Sequence, residues 1–314
     1  MRPLRFLRPG APVILNPLAR LIALLLVSLA PLPPAAADAA EPFFFIQLSD
    51  PQLGMFTANA DFAQDAANFE FAVTAVNRLR PAFVIVTGDL VNRPGDPAQI
   101  AGYRRILGKI DPAIPVYNLA GNHDIGNTPT PATIAAYVQA FGPDHFTFQH
   151  AGLTGIVLNS TLIHSPAQAP ELLAEQDRWL RTELQRARDG GARHIVVFQH
   201  HPWFLQNANE PDQYFNIPLA RRAALLALFR EFGVRYLFCG HYHRNAEATD
   251  GTLTAITTGP VGQPLGGAKS GLRVAIVRAD TIEHRYYKLG ELPVRIDVNP
   301  PAPKKDPAKS SPSP

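Results

Sequence analysis

The sequence predicts an α/β protein in which a parallel βαβ half meets an antiparallel half in a mixed sheet. Between Phe43 and Leu289, short runs of β-branched and aromatic residues alternate with longer amphipathic runs, which is typical of βαβ units. After Cys239 only short strand-like runs follow, so the last third of the chain changes to an antiparallel arrangement. Fragments rich in Asp, Asn and His stand directly after the apolar runs.

Each predicted element follows from its apolar pattern. Five short runs rich in Val, Ile and Phe are predicted as buried strands, at residues 43–48, 83–87, 114–119, 195–198 and 234–238. Apolar side chains at helical spacing predict helices over residues 61–79, 97–110, 133–141, 171–188 and 219–232. The later strand-like runs are residues 253–258, 272–278 and 281–288. The connection between the last two is short enough for a hairpin.

Both ends differ in composition from the folded domain that we predict for residues 43–292. Residues 1–40 combine scattered arginines, the apolar run 21–30 and an Ala-Ala-Ala sequence, which is the pattern of a signal peptide. The apolar run is shorter than the ~20 residues that span a bilayer, so a retained anchor is the weaker alternative. We expect an exported protein, periplasmic or secreted, with no stable membrane insertion after leader removal. Residues 300–314 predict a disordered tail of Pro, Lys and Ser.

The distribution of charge argues against nucleic acid as a partner. The formal net charge is +3, but the basic excess lies in the leader and the tail. Residues 43–290 contain 21 Lys and Arg and 21 Asp and Glu, so the predicted domain is balanced. It therefore offers no basic surface for a polyanion. The sequence leaves the oligomeric state open.

Five polar fragments follow predicted strands and carry the chemistry. They are Asp50-Pro51-Gln52, Gly88-Asp89, Gly121-Asn122-His123-Asp124, Gln199-His200-His201-Pro202 and Gly240-His241-Tyr242-His243. Ligands bind outside the carboxyl ends of strands in open α/β sheets, so these remote fragments are expected to converge at one rim. Alternate residues of an extended segment point the same way, so His241 and His243 present both imidazoles to one side.

The ligand-type side chains of these fragments are numerous enough for two cations. They are Asp50, Asp89, Asn122, His200, His241 and His243. Asp89 is the candidate for a carboxylate that bridges two metals ~3.5–4 Å apart, an arrangement that produces a hydroxide near neutral pH for in-line attack on phosphorus. His123 is placed to protonate the leaving alkoxide, and Asp124 to fix the tautomer of His123.

The five ordered fragments resemble the signature of calcineurin-like metallophosphoesterases, which reads D-x-H, GD, GNH[DE], a lone His and GHxH. The resemblance implies a four-layer α/β/β/α sandwich with two mixed β-sheets, and phosphoester hydrolysis by a hydroxide that bridges two divalent ions. It also implies that Asp50, Asp89 and His243 hold one ion, and that His123 is the catalytic imidazole. The second ion would be held by Asp89, Asn122, His200 and His241.

One position departs from the general family pattern, because Gln52 stands where most members have His. An amide oxygen is a harder ligand than an imidazole, so we expect Gln52 to shift the first metal position toward manganese, with iron or zinc as alternatives.

The same Gln52 is typical of one branch of the superfamily, that of the calcineurin-like phosphoesterase domain-containing serine/threonine phosphatase. That branch also reads GHYHRN, as residues 240–245 do here, and is similar in residues 214–216, 262–266 and 284–287. The resemblance implies a phosphomonoesterase whose substrate is a phosphoester, with a phosphopeptide or phosphoprotein as the candidate form. The alternatives are a phosphodiesterase of the cyclic nucleotide or lipid type, and a non-catalytic exported binding protein.

Three further residues are candidates for substrate binding. Arg244 and Asn245 follow the second histidine of the last fragment, where they can contact phosphate or, as the alternative, take part in a structural ion pair. His201 follows the predicted ligand His200 and is otherwise a structural residue. The loop 202–218 has no clear period and holds several aromatic residues, so we expect it to pack at the border of the site.

Overall fold

The computed structural model describes residues 41–299, which form two mixed β-sheets with helices packed against them. The leader predicted at residues 1–40 and the tail predicted at residues 300–314 lie outside this range. Among the described residues, no helix has the length and apolar character that crossing a bilayer requires.

Eleven strands are present in the described part of the chain. They are β1 (Phe43–Leu48), β2 (Val84–Thr87), β3 (Val116–Leu119), β4 (Phe146–His150), β5 (Leu153–Val157), β6 (His194–Phe198), β7 (Tyr236–Cys239), β8 (Ala246–Thr249), β9 (Thr254–Thr257), β10 (Gly271–Val277) and β11 (Ile282–Lys288). The helices are α1 (Ala63–Leu79), α2 (Pro97–Leu107), α3 (Asn122–Ile125), α4 (Pro131–Phe141), α5 (Ser160–His164), α6 (Pro170–Asp189) and α7 (Leu219–Glu231), and a 3-10 turn covers Leu289–Glu291.

Both sheets join parallel and antiparallel strands. The first has the order β11-β10-β1-β2-β3, in which β1, β2 and β3 are parallel and β10 and β11 are antiparallel. The second has the order β4-β5-β6-β7-β9-β8, with parallel central strands and antiparallel edge strands. The predicted four-layer fold with two mixed sheets is confirmed, and β10 and β11 form the predicted hairpin.

An aromatic core fills the space between the two sheets. Phe45 of β1 lies edge-on to Phe198 of β6 and to Phe238 of β7, with ring centroids 5.7 and 5.3 Å apart. Phe83 lies 5.0 Å from Phe148 of β4 in the same way. Ile46, which follows Phe45 in β1, points to the opposite face of the sheet and packs in the core on the helix side. Because β1 is buried on both faces, it reads as a continuous apolar run rather than an alternating one.

All five predicted helices are present, with ends shifted by a few residues, but the sequence missed several short elements. Helix α2 ends before Gly108, three residues earlier than predicted. The missed strands are β4 and β8, and the missed helices are α3 and α5. Each has five residues or fewer, and β8 reads Ala-Glu-Ala-Thr without an apolar run, so no period is visible in it.

The strands place all five polar fragments at one rim. Backbone hydrogen bonds continue past the strand ends, from Asp50 N to Gly88 O at 3.2 Å and from Gly240 N to His200 O at 2.9 Å. The fragments that leave β1 and β2 are therefore held side by side, as are those that leave β6 and β7.

Replacement of Phe45 by Ala tests the core between the sheets. Phe45 is fully buried against three aromatic rings, so we expect Phe45→Ala to lower the free energy of unfolding by about 3–5 kcal/mol. Urea titration followed by tryptophan fluorescence measures the change. The control is Phe71→Ala on α1, because Phe71 is 51% exposed and its loss should cost about 1 kcal/mol or less. Equal losses in the two variants would contradict this assignment of the core.

Candidate metal centre

Two groups of buried side chains with metal-ligand chemistry meet at the rim, and they share Asp89. One group is Asp89, His200 and His241, and the other is Asp50, Asp89 and His243. Within each group the candidate ligand atoms lie within 4.8 Å of one another. These are the groupings that the family resemblance implies, apart from the amides of Asn122 and Gln52.

Both amide residues lie beside these groups. Asn122 Oδ1 is 3.1 Å from His200 Nε2, on the side of the first group. Gln52 donates from Nε2 to Asn92 Oδ1 at 3.0 Å, while its buried Oε1 has no hydrogen-bond partner among the described residues. A buried acceptor without a donor is costly, so the free oxygen of Gln52 fits a role as ligand of a cation.

Backbone carbonyls hold the three candidate histidine ligands in defined tautomers. His200 Nδ1 donates to Thr87 O at 2.8 Å, and His243 Nδ1 donates to Gln263 O at 2.6 Å. His241 Nε2 donates to Tyr214 O at 3.2 Å. Since a carbonyl oxygen only accepts, each of these nitrogens carries a proton, and the other ring nitrogen is the one left to bind a metal. Metal-binding histidines are oriented in this way.

The facing nitrogens point at carboxylates. His200 Nε2 lies 3.2 Å from Asp89 Oδ2, and His243 Nε2 lies 3.5 Å from Asp50 Oδ1. Two buried carboxylates and several imidazole lone pairs in one place make an electron-rich donor set. The donor set therefore fits divalent cations, with mixed oxygen and nitrogen ligands.

The backbone is left-handed at five of the predicted ligands. Asp50, Gln52, Asp89, His241 and His243 have φ between +38° and +66°, a region that residues other than glycine rarely adopt. Such residues cost of order 1–3 kcal/mol each and persist where the surroundings fix them, commonly at functional sites.

Two glycines allow the fragments to approach one another closely. A Cβ on Gly121 would lie 2.1 Å from Asp89 Oδ1, and a Cβ on Gly240 would lie 2.2 Å from Ser49 Oγ. Any side chain at either position would displace a predicted ligand loop. The glycines that precede Asn122 and His241 therefore have a packing reason for their identity.

The electrostatics of the site favour positive charge between Asp89 and His200. Burial disfavours ionised Asp89, but the imidazoles of His200 and His123 outweigh it and hold the pKa of Asp89 below its usual range. Burial also opposes protonation of His200, but Asp89 outweighs it and raises the pKa of His200 to about 9. For His241, burial and the neighbouring His200 lower the pKa to about 3. A pocket that attracts a proton this strongly also suits a bound cation.

His123 lies at the site, but Asp124 does not orient it as the sequence predicted. His123 Nδ1 donates to the backbone carbonyl of Asn92 at 3.0 Å. Asp124 instead accepts backbone amides, from Leu90 at 2.9 Å and Val91 at 3.2 Å to one oxygen, and from Gly121 at 2.8 Å to the other. Its side chain therefore fixes the loops, and the tautomer of His123 depends on a backbone carbonyl.

Two of the three predicted substrate-binding residues have structural roles. Asn245 Oδ1 accepts from Gly259 N at 3.1 Å and from Arg273 Nη2 at 2.8 Å, so the oxygen has a structural role and only the Nδ2 group is left to contact a substrate. His201 is 3% exposed, contacts Ser160 Oγ through Nδ1 at 3.1 Å, and packs behind His241. Its burial leaves it no surface for a substrate.

Arg244 remains available for a substrate. Its guanidinium lies 4.3 Å from the centre of the Tyr242 ring, and it makes no ion pair or hydrogen bond with any of residues 41–299. Its charge is therefore unpaired within the described residues, and the role of Arg244 in substrate binding stays a prediction.

Sequence reasoning missed two residues that the fold brings to the site. Asn92 joins Gln52 through its side chain and His123 through its carbonyl. Tyr214 reaches Asn122 Nδ2 with its hydroxyl at 3.3 Å and His241 with its carbonyl. Asn92 follows Asp89 closely enough to have been considered, whereas the position of Tyr214 depends on the course of the loop 202–218.

Comparisons with known proteins agree with this geometry. The family model described as calcineurin-like phosphoesterase matches residues 45–245. Serine/threonine-protein phosphatase CPPED1 of Bos taurus is 41% identical over 266 residues, which cover 80% of this chain and 85% of the relative. The human protein of that name is 40% identical over 267 residues with the same coverage, and that of Danio rerio is 39% identical over 269 residues, covering 81% and 87%.

Solved structures share the fold at low sequence identity. GAP50 of Plasmodium, described as the anchor in the inner membrane complex, has a TM-score of 0.61 at 16% identity and covers 79% of this chain and 85% of its own. Purple acid phosphatase PPD1 from yellow lupin has a TM-score of 0.61 at 14% identity, covering 80% and 52%. The matched model and the CPPED1 relatives establish that this chain is a hydrolase of phosphoester bonds and belongs to the calcineurin-like phosphoesterase family.

Proposed function

We propose that this chain is a dinuclear metallophosphatase that hydrolyses phosphomonoesters, and that its substrates are phosphoserine and phosphothreonine in peptides or proteins. The observation that carries the proposal is the pair of buried ligand groups that share Asp89. The serine/threonine class is supported by relatives of that name that are about 40% identical over 80% of the chain.

The proposal assigns the ligands of two cations. One position takes Asp50, Gln52, Asp89 and His243, and the other takes Asp89, Asn122, His200 and His241. Three observations support the assignment: the tautomers fixed by backbone carbonyls, the free Gln52 oxygen, and the strained backbone at five of these residues.

Two bound divalent cations supply a nucleophile near neutral pH and neutralise the phosphoryl oxygens. The residues of the chain supply the rest. Asp89 is fixed by the His123 amide, which donates to its Oδ1 at 2.8 Å. Arg244, whose charge is unpaired among residues 41–299, lies at the rim to contact phosphate.

His123 is proposed as the general acid. Its Nδ1 donates to Asn92 O, so the proton for the leaving group would be the second one, which the imidazolium form carries on Nε2. Its ring is partly exposed, whereas the predicted metal ligands around it are buried. An acid that must meet successive substrates needs this access.

We also propose that the protein is exported and that its substrates are extracytoplasmic. The N-terminal pattern of arginines, the apolar run 21–30 and the alanines before residue 40 support this location.

The ester preference tests the proposed function directly. We expect metal-reconstituted protein to hydrolyse p-nitrophenyl phosphate and a phosphoserine peptide, with a lower kcat/KM for bis(p-nitrophenyl) phosphate. A higher kcat/KM for the bis ester would make the protein a phosphodiesterase. Failure to hydrolyse any ester, with two equivalents of metal bound, would favour the non-catalytic binding protein.

Replacement of His123 by Gln separates acid catalysis from metal binding. Loss of the acid should slow hydrolysis of a phosphoserine peptide by ~10²–10⁴-fold, because an alkoxide must be protonated as it leaves. p-Nitrophenolate leaves without a proton, so hydrolysis of p-nitrophenyl phosphate should fall much less. The matched control is His150→Gln at the end of β4, where we expect neither rate to change. An equal loss with both esters would contradict the role of His123.

The residue at position 52 should influence metal preference. We propose manganese as the native metal, because an amide oxygen is a harder donor than an imidazole. We expect Gln52→His to raise the affinity for zinc relative to manganese, measured by competition dialysis and elemental analysis. An unchanged ratio would mean that Gln52 does not contact a cation.

A further inference from the structure

We propose that Tyr214 binds the substrate directly, by donating a hydrogen bond from its phenol to a phosphoryl oxygen. The inference deepens the proposed function and rests on it for the identity of the ligand as a phosphoester. It assigns a substrate contact to the loop 202–218, which the sequence placed only at the border of the site.

The orientation of Asn122 determines what the Tyr214 hydroxyl can do. An amide binds a metal through its oxygen, and Asn122 Oδ1 faces His200 Nε2 within the predicted ligand group. Its Nδ2 therefore points away from the cation and donates two hydrogens, to Asn127 Oδ1 at 2.9 Å and to Tyr214 Oη at 3.3 Å.

The Tyr214 oxygen is consequently an acceptor in this contact, and its own proton is left over. A phenol is protonated near neutral pH, since its usual pKa is about 10. The hydroxyl makes no other hydrogen bond with residues 41–299. Tyr214 thus holds a free donor one amide group away from the predicted cation position, which is where an anion would be bound.

The side chain is open to a ligand although its surroundings are buried. Tyr214 is 53% exposed, while Asn122 and His241 beside it are 3% exposed. Its ring centroid lies 5.0 Å from that of His241. A large aromatic side chain exposed at the mouth of a buried polar site is consistent with a contact that a substrate completes.

The loop 202–218 holds Tyr214 in place without relying on a ligand. Glu210 lies at the centre of the loop. Its carboxylate accepts hydrogen bonds from the backbone amides of Leu205 at 2.9 Å and Gln206 at 2.7 Å, and from the side-chain amide of Asn216 at 2.7 Å. The fully buried Arg222 of α7 donates to the carbonyls of Trp203 and Glu210. A loop fixed in this way places its phenol before substrate arrives, which reduces the entropic cost of the contact.

A substrate contact through the Tyr214 hydroxyl and one through its ring would affect different sets of substrates. A hydrogen bond to phosphate serves every phosphomonoester equally, because all of them share the phosphoryl group. Stacking of the ring would serve only esters with a flat or apolar leaving group. Tyr214→Phe removes the first contact and keeps the second, and Tyr214→Ala removes both.

The first test uses inorganic phosphate as the probe, with metal-reconstituted protein and isothermal titration calorimetry. A hydrogen bond to a charged acceptor is worth enough that Tyr214→Phe should weaken phosphate binding by roughly 10- to 100-fold. The bound metal, measured by elemental analysis, should remain at the wild-type level. The matched control is Tyr287→Phe on the edge strand β11, which is two strands away from β1 and whose hydroxyl has no hydrogen bond within residues 41–299.

The second test is steady-state kinetics with p-nitrophenyl phosphate and a phosphoserine peptide. We expect Tyr214→Phe to lower kcat/KM for both by a similar factor. Three outcomes would overturn the inference: unchanged phosphate affinity, a loss seen only for the aryl ester in Tyr214→Ala, or a loss of metal in Tyr214→Phe, which would show that the phenol acts through Asn122. If wild-type protein binds phosphate but hydrolyses no ester, the proposed function is wrong. The phosphate contact of Tyr214 is then still tested by the phosphate affinity of Tyr214→Phe in calorimetry.

Discussion

The Asp89 carboxylate belongs to both ligand groups, and much of the site is arranged around its two oxygens. Oδ1 accepts the backbone amide of His123, and Oδ2 faces His200 Nε2. Gly121 must lack a side chain because a Cβ there would overlap Oδ1. A carboxylate proposed to bind two cations would tolerate little displacement, so the backbone around it must be held in one conformation.

The backbone around Asp89 shows how this demand is met. Five predicted ligands have left-handed φ angles that other residues avoid, and the unfavourable local energy must be offset by the rest of the fold. The parallel strands of both sheets do this. Their pairing runs to within two residues of each ligand fragment, and the aromatic core packs between the two sheets.

The sequence was informative where a feature depends on a local pattern. Buried strands produce apolar runs, and ligand residues at their carboxyl ends are recognisable one fragment at a time, so the fold class and the ligand fragments were predictable. Side-chain partners were not. Asp124 adjoins His123 in the chain yet bonds backbone amides, and Asn245 adjoins the site yet binds Arg273. The contacts of Tyr214 were not predictable, because the loop that carries it is held by hydrogen bonds to Glu210 and shows no periodic sequence pattern.

The contact between Tyr214 and His241 uses a main-chain carbonyl, which every amino acid possesses. The orientation of the imidazole is thus independent of which residue occupies position 214. A substitution at this position would change the mouth of the pocket and leave this contact to His241 in place, and the hydrogen bonds of Glu210 would still hold the rest of the loop. The side chain that faces the substrate and the main-chain group that orients the imidazole thus come from one residue, yet they can be altered independently.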